Sequence, residues 1–461
     1  MSSDLTAAGF PTPALTEEML ELDEDDDLEV FSKDVTLTDG SSVSASLPTS
    51  PSSMTNQYRF EEESDTRDIF VTVDNPESHV TALETFITYR VVTKTTRSDF
   101  DSCEFEVRRR YQDFLWLRDR VEETHPTLIV HPLPEKFVMK GMVERFNDDF
   151  IETRRKALHK FLCRIAEHSI LSCNADFKIF LTAQAWELTS HKKQGPGLLS
   201  RMGDTVRAVA ASVRGVKNRP EEFVAMQEYV DTFSQRMSSL DKVTQRIAKE
   251  IKEYLDDLKH YGPTYVLWSG SEEELVEPLK GVASCIDTCC QATEEQLSQM
   301  SNNLVPLLHE YVLCSDAIKA VLRRRDNIQT DYEAKCDILV SKQADREALT
   351  NTEDLSIVLG RLLGKVPEEA RQQQEQRLHG QIEELKGEVE KLEDRVECAN
   401  SALKGDWERW QSNMRGDVKA AFVSTAEKNV DYYEKCLAAW ESFLTSMNAD
   451  QSVEKSAGLT S

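Results

Sequence analysis

The sequence lacks any apolar run approaching the ~18 residues that a membrane-spanning helix requires. Its first ten residues, "MSSDLTAAGF", have neither a basic n-region nor the glycine that myristoylation needs, so neither a secretory signal nor that lipid anchor is expected. Any membrane contact is therefore expected to be peripheral. Positive charge is in deficit: 55 Lys and Arg stand against 82 Asp and Glu, a net charge of −27, which argues against nucleic acid as the main partner. Catalytic signatures are missing too. There is no P-loop, GxSxG or HExxH, and "VLGRLLGK" (Val358–Lys365) lacks the preceding strand and phosphate-binding pattern of a glycine-rich loop. The chain reads as a non-enzyme without a cofactor. Its ten cysteines are scattered over apparent helices, which fits reduced thiols in the cytosol. "CIDTCC" places Cys285 and Cys289 four apart, but no histidine or second cysteine pair stands nearby, so a zinc site is not expected.

What is present is unevenly arranged. Residues 1–66 hold sixteen Asp and Glu against Lys33 and Arg59, a net −14, in an acidic block ("ELDEDDDLEV") and a Ser/Thr/Pro stretch. Such a tail buries too little apolar surface to order itself, and disorder is predicted. From Asp68 the pattern changes. "IFVTVDNP", "TFITYRVVTKT" and "EFEVRRRY" read as three strands, the last with Phe105 and Val107 on one face and Glu106 and Arg108 on the other. "DFLWLRDRVEETH" takes helical spacing through Phe114, Leu117 and Val121. The proline-containing "IVHPLPEKF" predicts an extended loop. "NDDFIETRRKALHKFLCRIAEH" predicts an amphipathic helix. The spacing thus predicts one α+β domain over 67–185 with a three-stranded sheet and helices.

Residues 186–219 read as a linker carrying a short amphipathic helix. Leu198, Met202, Val206, Val209, Val213 and Val216 fall in one narrow sector of a wheel, with Arg207 and Arg214 opposite. Residues 220–449 are predicted almost wholly helical, with breaks near Gly262, Asn351 and Pro367, and 450–461 are predicted disordered. The third helical segment repeats apolar residues at steps of four and three: Leu378, Ile382, Leu385, Val389, Leu392, Val396, Ala399, Leu403, Trp407, Trp410, Met414. That period predicts a helix supercoiled against partners. Trp407, Trp410 and Trp440 are expected in a core or a dimer interface.

The least expected feature of so acidic a chain is "VRRRYQDFLWLRDRV" (Val107–Val121). Adjacent arginines repel unless an anion satisfies them, and phosphate does so through charge-assisted, often bidentate hydrogen bonds. A neighbouring tyrosine offers a flat face for a sugar-like ring. "RRRYQDFLWLRDRV", "VHPLPEKF" and "FIETRRKALHKFL" follow in this order at intervals that resemble a PX domain, the phosphoinositide-binding module of sorting nexins. The resemblance implies roles: Arg110 for the inositol 3-phosphate, Tyr111 under the inositol ring, Gln112 where relatives carry Ser or Thr, Lys136 for the 1-phosphate side, and Arg154 for inositol hydroxyls. His131 stands where proline is common, in a loop that in the family enters the bilayer. Arg108, Arg109, Arg155 and Lys160 read as surface charge.

The helical part resembles a BAR domain, a crescent of dimerising three-helix coiled coils, and the whole chain resembles a PX-BAR sorting nexin of the sorting nexin four subgroup. The resemblance implies a phosphatidylinositol 3-phosphate-binding peripheral adaptor. It would act in endosomal sorting, recycling and autophagy, on the cytosolic face of early and recycling endosomes. It also implies a membrane-inserting role for Leu198, Met202, Val206, Val209 and Val213, and a heterodimer with a sorting nexin four-like relative or a homodimer. Lys242, Arg246 and Lys249, and Lys319 and Arg323, are candidates for a concave membrane face or merely solvated helix faces. The alternative function is a coiled-coil scaffold with a vestigial lipid pocket.

Overall fold

The computed structural model describes residues 68–80, 85–135, 148–194, 215–359 and 368–457. The acidic tail, Lys136 and the predicted amphipathic-helix residues Leu198, Met202, Val206, Val209 and Val213 lie outside the described residues.

Three strands form the predicted antiparallel sheet in the order β1-β2-β3: β1 (Ile69–Val80), β2 (Thr85–Thr95) and β3 (Glu104–Arg110). Alternation buries Ile69, Val71 and Val73 from β1 and Val107 from β3. Register slips between Asp74 and Glu77, where Asn75 adopts φ 43° and Pro76 cannot donate. Helices α1 (Tyr111–Thr124), α2 (Asp148–Ala166), α3 (Ala175–Thr182) and α4 (Ala185–Gln194) cover the sheet. Phe114, Leu117 and Val121 of α1, Leu158 and Phe161 of α2, and Phe177 and Phe180 of α3 fill one core with Tyr89 and Val91. Each such side chain contributes roughly 1.5–3 kcal/mol on burial. Asn174 caps α3 by accepting from the Phe177 amide at 3.0 Å. Helix α4 falls where a linker was expected, and its Leu188 is buried.

The carboxy-terminal helices are α5 (Glu221–Ser269), α6 (Val276–Gln299) and α7 (Val305–Leu359), the latter two joined by a π-helical turn (Met300–Leu304), and α8 (Glu368–Ala457). At 1.5 Å per residue, α8 is about 135 Å long. The seven-residue repeat holds. Leu378, Ile382, Ala399, Leu403, Trp407, Trp410 and Met414 are buried, and the four positions between Ile382 and Ala399 are half-buried.

Three expected boundaries move. Helix α5 runs through Gly262 and Pro263 and ends at Gly270 instead. Gly262 is retained for packing rather than for a break: a Cβ there would meet Asp287 Oδ1 at 2.9 Å and Ile286 Cγ2 at 3.5 Å on α6. Asn351 lies within α7, because one polar residue lowers helix propensity by only a fraction of a kcal/mol and does not by itself end a helix. Helix α8 continues to Ala457, since "DQSVEKSA" contains neither glycine nor proline.

The two units share their cores. Ala402 of α8 packs in the α+β core, and Ile129 packs among Phe223, Leu308, Tyr311, Leu403 and Trp410 of the helical core.

Candidate phosphoinositide site

Strand β3 ends at Arg110 and α1 begins at Tyr111, so the strand-to-helix junction presents this pair together. The junction is fixed by Asp113, whose carboxylate accepts from the Arg110 amide at 2.6 Å and also pairs with Lys192 of α4. The half-buried Arg110 guanidinium lies over the Phe86 ring, 3.3 Å from its centroid. Gln112 is exposed at the same end of α1.

Arg154 comes from α2, forty-odd residues later, and arrives at the same place. Its guanidinium sits 4.4 Å from the centroid of the Tyr111 ring and 4.5 Å from that of Phe150. The Tyr111 hydroxyl donates to the Pro134 carbonyl at 2.5 Å, and Arg154 Nη2 donates to the Glu135 carbonyl at 3.4 Å. Burial pushes the Tyr111 phenol above its ordinary value, so it remains a donor. The structure thus brings Tyr111 and Arg154 together at one end of the proline segment, while the guanidinium of Arg110, next to Tyr111 in the chain, rests on Phe86 of β2.

The neighbouring cations do not behave as surface charge. Arg109 is 1% exposed. It shares the inward face of β3 with Val107, because period-two alternation puts them on one side. Its guanidinium donates to the Phe180 carbonyl at 2.8 and 2.6 Å and to Ala183 at 2.5 Å, and burial pushes its pKa down to about 10. Arg108 pairs with Glu77 at 2.7 Å and donates to the Asn75 carbonyl across the sheet. Arg155 donates to the Val73 carbonyl at 2.6 Å and pairs with Glu152. Lys160 pairs with Glu310 of α7. Periodicity could have placed Arg109 inside; the bias that arginine belongs outside hid it.

The "VHPLPE" segment also departs from expectation. Leu128, Ile129, Val130, His131 and Leu133 are buried against the helices. His131 takes the usual proline position because it reaches across the domain interface: Nδ1 lies 2.9 Å from Glu310 Oε1 and 3.5 Å from Cys314 Sγ. These three groups place their ligand atoms within 4.8 Å of one another. Lys160 and Arg164 share the Glu310 carboxylate, so cations already answer its charge and oppose a metal ion there. Burial resists ionisation of Glu310, yet the His131 hydrogen bond and those cations hold it down at about 2. Burial lowers His131 below its ordinary value.

A second interface cluster surrounds Asp406, which is 1% exposed. Its carboxylate accepts from the Ile129 amide at 2.5 Å, His168 Nε2 at 3.0 Å and Arg409 at 2.7 Å. Burial opposes its charge, but Arg409 and His168 prevail and keep it well below the ordinary carboxylate range. Arg164 meets Asp417, which also accepts from the Tyr311 hydroxyl at 2.6 Å. Arg324 pairs with Glu122 at 2.8 Å and donates to the Pro126 carbonyl.

Of the basic helix runs, "KAVLRRRD" is mostly structural. Lys319 pairs with Asp231 at 3.1 Å, Arg324 serves the interface, and Arg325 is buried against Asn400 and Phe223. Lys242, Arg246 and Lys249 stay exposed, with Arg246 and Lys249 facing Glu250 and Glu253 one turn on. In "CIDTCC", Cys285 donates to the Ala439 carbonyl at 3.3 Å, and burial raises the Cys289 thiol to about 11, so these thiols serve packing. Among the described residues, no helix is long and apolar enough to cross a membrane.

The chain matches two family models, "PX domain" over residues 97–184 and "Vps5 C terminal like" over 198–446. It is 60% identical to human (Homo sapiens) sorting nexin-7 over 408 residues, covering 88% of this chain and 96% of that one. It is 46% identical to Xenopus tropicalis sorting nexin-30 over 414 residues (89% and 84%), and 28% identical to Bos taurus sorting nexin-4 over 368 residues (77% and 81%). In fold it resembles the chain of the SNX-BAR Mvp1 tetramer solved by cryo-EM, with a TM-score of 0.57 at 16% identity, covering 81% of this chain and 99% of that one. With a PX match over the sheet-bearing unit, a long three-segment helical unit behind it and 60% identity to sorting nexin-7 over 88% of its length, the chain belongs to the PX-BAR sorting nexin family.

Proposed function

We propose that this protein is a non-enzymatic peripheral membrane adaptor in trafficking. Its PX unit would read phosphatidylinositol 3-phosphate through Arg110, Tyr111, Gln112, Lys136 and Arg154. The meeting of Tyr111 and Arg154 at the end of the proline segment, with Arg110 next to Tyr111 at the β3–α1 junction, supports this reading. Arg110 would take the 3-phosphate and Arg154 the inositol hydroxyls, beside a ring of matching size. The basic amphipathic stretch that includes Leu198, Met202, Val206, Val209 and Val213 would add shallow apolar insertion at anionic membrane. The family suggests sorting and recycling from early and recycling endosomes, and autophagy, as the setting.

Dimerisation is supported by apolar surface that the chain leaves uncovered. Helix α5 exposes Leu240, Ile247, Tyr254, Tyr261 and Trp268 at intervals of seven. Helix α8 exposes Val423, Val430, Leu437 and Leu444 with the interleaved Tyr433 and Trp440. Seven-residue stripes of this kind are coiled-coil seams awaiting another chain, a copy or a sorting nexin four-like relative. Two lipid pockets on one dimer raise avidity through effective concentration.

A scaffold with a vestigial pocket has one observation in its favour: Arg154 already covers a face of Tyr111, and Arg110 already rests on Phe86. Flotation with vesicles containing phosphatidylinositol 3-phosphate separates the two. Arg110→Ala should abolish selective capture while the dimer mass stays unchanged. Capture equal to wild type would leave only the scaffold.

A further inference from the structure

Residues 129–135 tie the helical unit to the lipid pocket. At their start, the Ile129 amide donates to Asp406 Oδ2 of α8 at 2.5 Å. Two residues on, His131 bonds Glu310 of α7 at 2.9 Å. At their end, the Pro134 carbonyl accepts from the Tyr111 hydroxyl and the Glu135 carbonyl accepts from Arg154. The same short strip of backbone therefore carries two ties to the helices and two ties to the residues expected to hold the headgroup. Pro132 and Pro134 restrict its dihedral freedom, and Ile129, Val130, His131 and Leu133 are buried, so displacement at one end passes to the other.

Asp406 is built for this task. It is sealed in the interface, and His168 and Arg409 satisfy the lone pairs that Ile129 leaves. That arrangement holds the carboxylate charged and fixed, and a fixed charged acceptor makes the strongest class of backbone tether.

We propose that Asp406 is a positioning residue of the phosphoinositide pocket: from α8 it holds Ile129 and so sets where the Pro134 and Glu135 carbonyls stand against Tyr111 and Arg154. This rests on the pocket reading given above. Losing the tether frees the strip, and the headgroup must then order it on binding, which weakens affinity.

The test uses the full chain and short-chain dibutanoyl phosphatidylinositol 3-phosphate, titrated by calorimetry. Wild type must bind and Arg110→Ala must not. Failure there overturns the pocket reading itself, and the positioning role falls with it. Given that control, Asp406→Ala, which removes the acceptor of the Ile129 amide, should weaken headgroup binding about tenfold, the cost of ordering one released segment. Tyr111→Phe keeps the ring and cuts the Pro134 tie, and should weaken binding through the same strip. The double variant should then be no weaker than the weaker single variant, because each change releases what the other holds. Unchanged affinity in Asp406→Ala, or effects that multiply in the double variant, would overturn the proposal. Should Asp406→Ala not give folded dimer, His131→Leu cuts the second tie and enters the same cycle with Tyr111→Phe. There too, unchanged affinity or multiplying effects overturn it, and a non-additive loss supports it.

Discussion

Arg109 holds Phe180 by its backbone: two guanidinium nitrogens reach that one carbonyl oxygen at 2.8 and 2.6 Å, and the guanidinium also lies 5.2 Å from the ring centroid. Three consecutive arginines thus do three different things. Arg108 ties β3 to β1, Arg109 locks β3 to the end of α3, and Arg110 rests on the Phe86 ring at the β3–α1 junction.

The first prediction separates these roles. Arg109→Met leaves the Phe180 and Ala183 carbonyls buried without donors, and should lower stability by about 2–4 kcal/mol. Arg109→Lys should rescue it only in part, because one ammonium nitrogen on a shorter stem replaces the planar fork whose Nε and Nη2 both reach the Phe180 carbonyl. Arg110→Ala should leave the melting temperature within about a degree of wild type. Calorimetric melting of the three variants is the check; an unaltered Arg109→Met melt would contradict the structural role.

A second prediction concerns two glycines in long helices. At Gly281 of α6, a Cβ would sit 2.7 Å from the Phe443 ring of α8, so Gly281→Ala forces the helices apart and should cost about 1–3 kcal/mol. At Gly380 a Cβ meets nothing within 4 Å, and Gly380→Ala should instead gain about 0.5–1 kcal/mol. Opposite signs in urea unfolding are expected.

The interface histidines give a pH dependence. Burial lowers His131 and His168 below the ordinary value of 6.5. Above 6.5 neither folded nor unfolded chain protonates them. As pH falls below 6.5 the unfolded chain takes up protons that the folded chain refuses, so stability declines until the folded value is passed. Glu310 contributes stability that is complete above 4.5 and lost as pH falls towards about 2. Melting temperature should therefore drop as pH falls below about 6.5. The drop should flatten in His168→Asn and His131→Asn; equal slopes would show that the histidines do not control it.

The exposed seam on α8 should be required for assembly. Leu437→Glu with Trp440→Glu places charge on a stripe that a second chain must cover, and should halve the mass seen by light scattering. Capture by phosphoinositide vesicles should fall by at least about tenfold through lost avidity, with short-chain headgroup affinity preserved. A retained dimer mass would refute the seam's role.

Much of the molecule was legible in the chain. Strand alternation and the four-three repeat report directly on which faces are buried, so the three-stranded sheet and the α8 stripe through Trp407, Trp410 and Met414 follow from period alone. Arg110, Tyr111 and Arg154 came from motif order, and the fold sets the Arg154 guanidinium on the Tyr111 ring. What escaped depends on contacts distant in sequence. Nothing near His131 announces Glu310, 179 residues away, and nothing near Ile129 announces Asp406, 277 residues away. Gly262 misled for the same reason: read locally, Gly-Pro ends a helix, whereas here the helix continues and the missing side chain leaves room for the Asp287 carboxylate of another helix.

The π-helical turn at Met300–Leu304 sets the phase of everything after it. One additional residue in a turn rotates the downstream helix by about 100° relative to an unbroken α-helix. Upstream, α6 points Leu279, Ala283 and Ile286 at the neighbouring helices; downstream, α7 turns Tyr311 and Cys314 inward and carries Glu310 to His131. A chain shortened by one residue at this spot would still make a continuous helix, but it would swing Glu310 and its neighbours out of line with the PX unit. The PX unit owes its docking address to a single surplus residue.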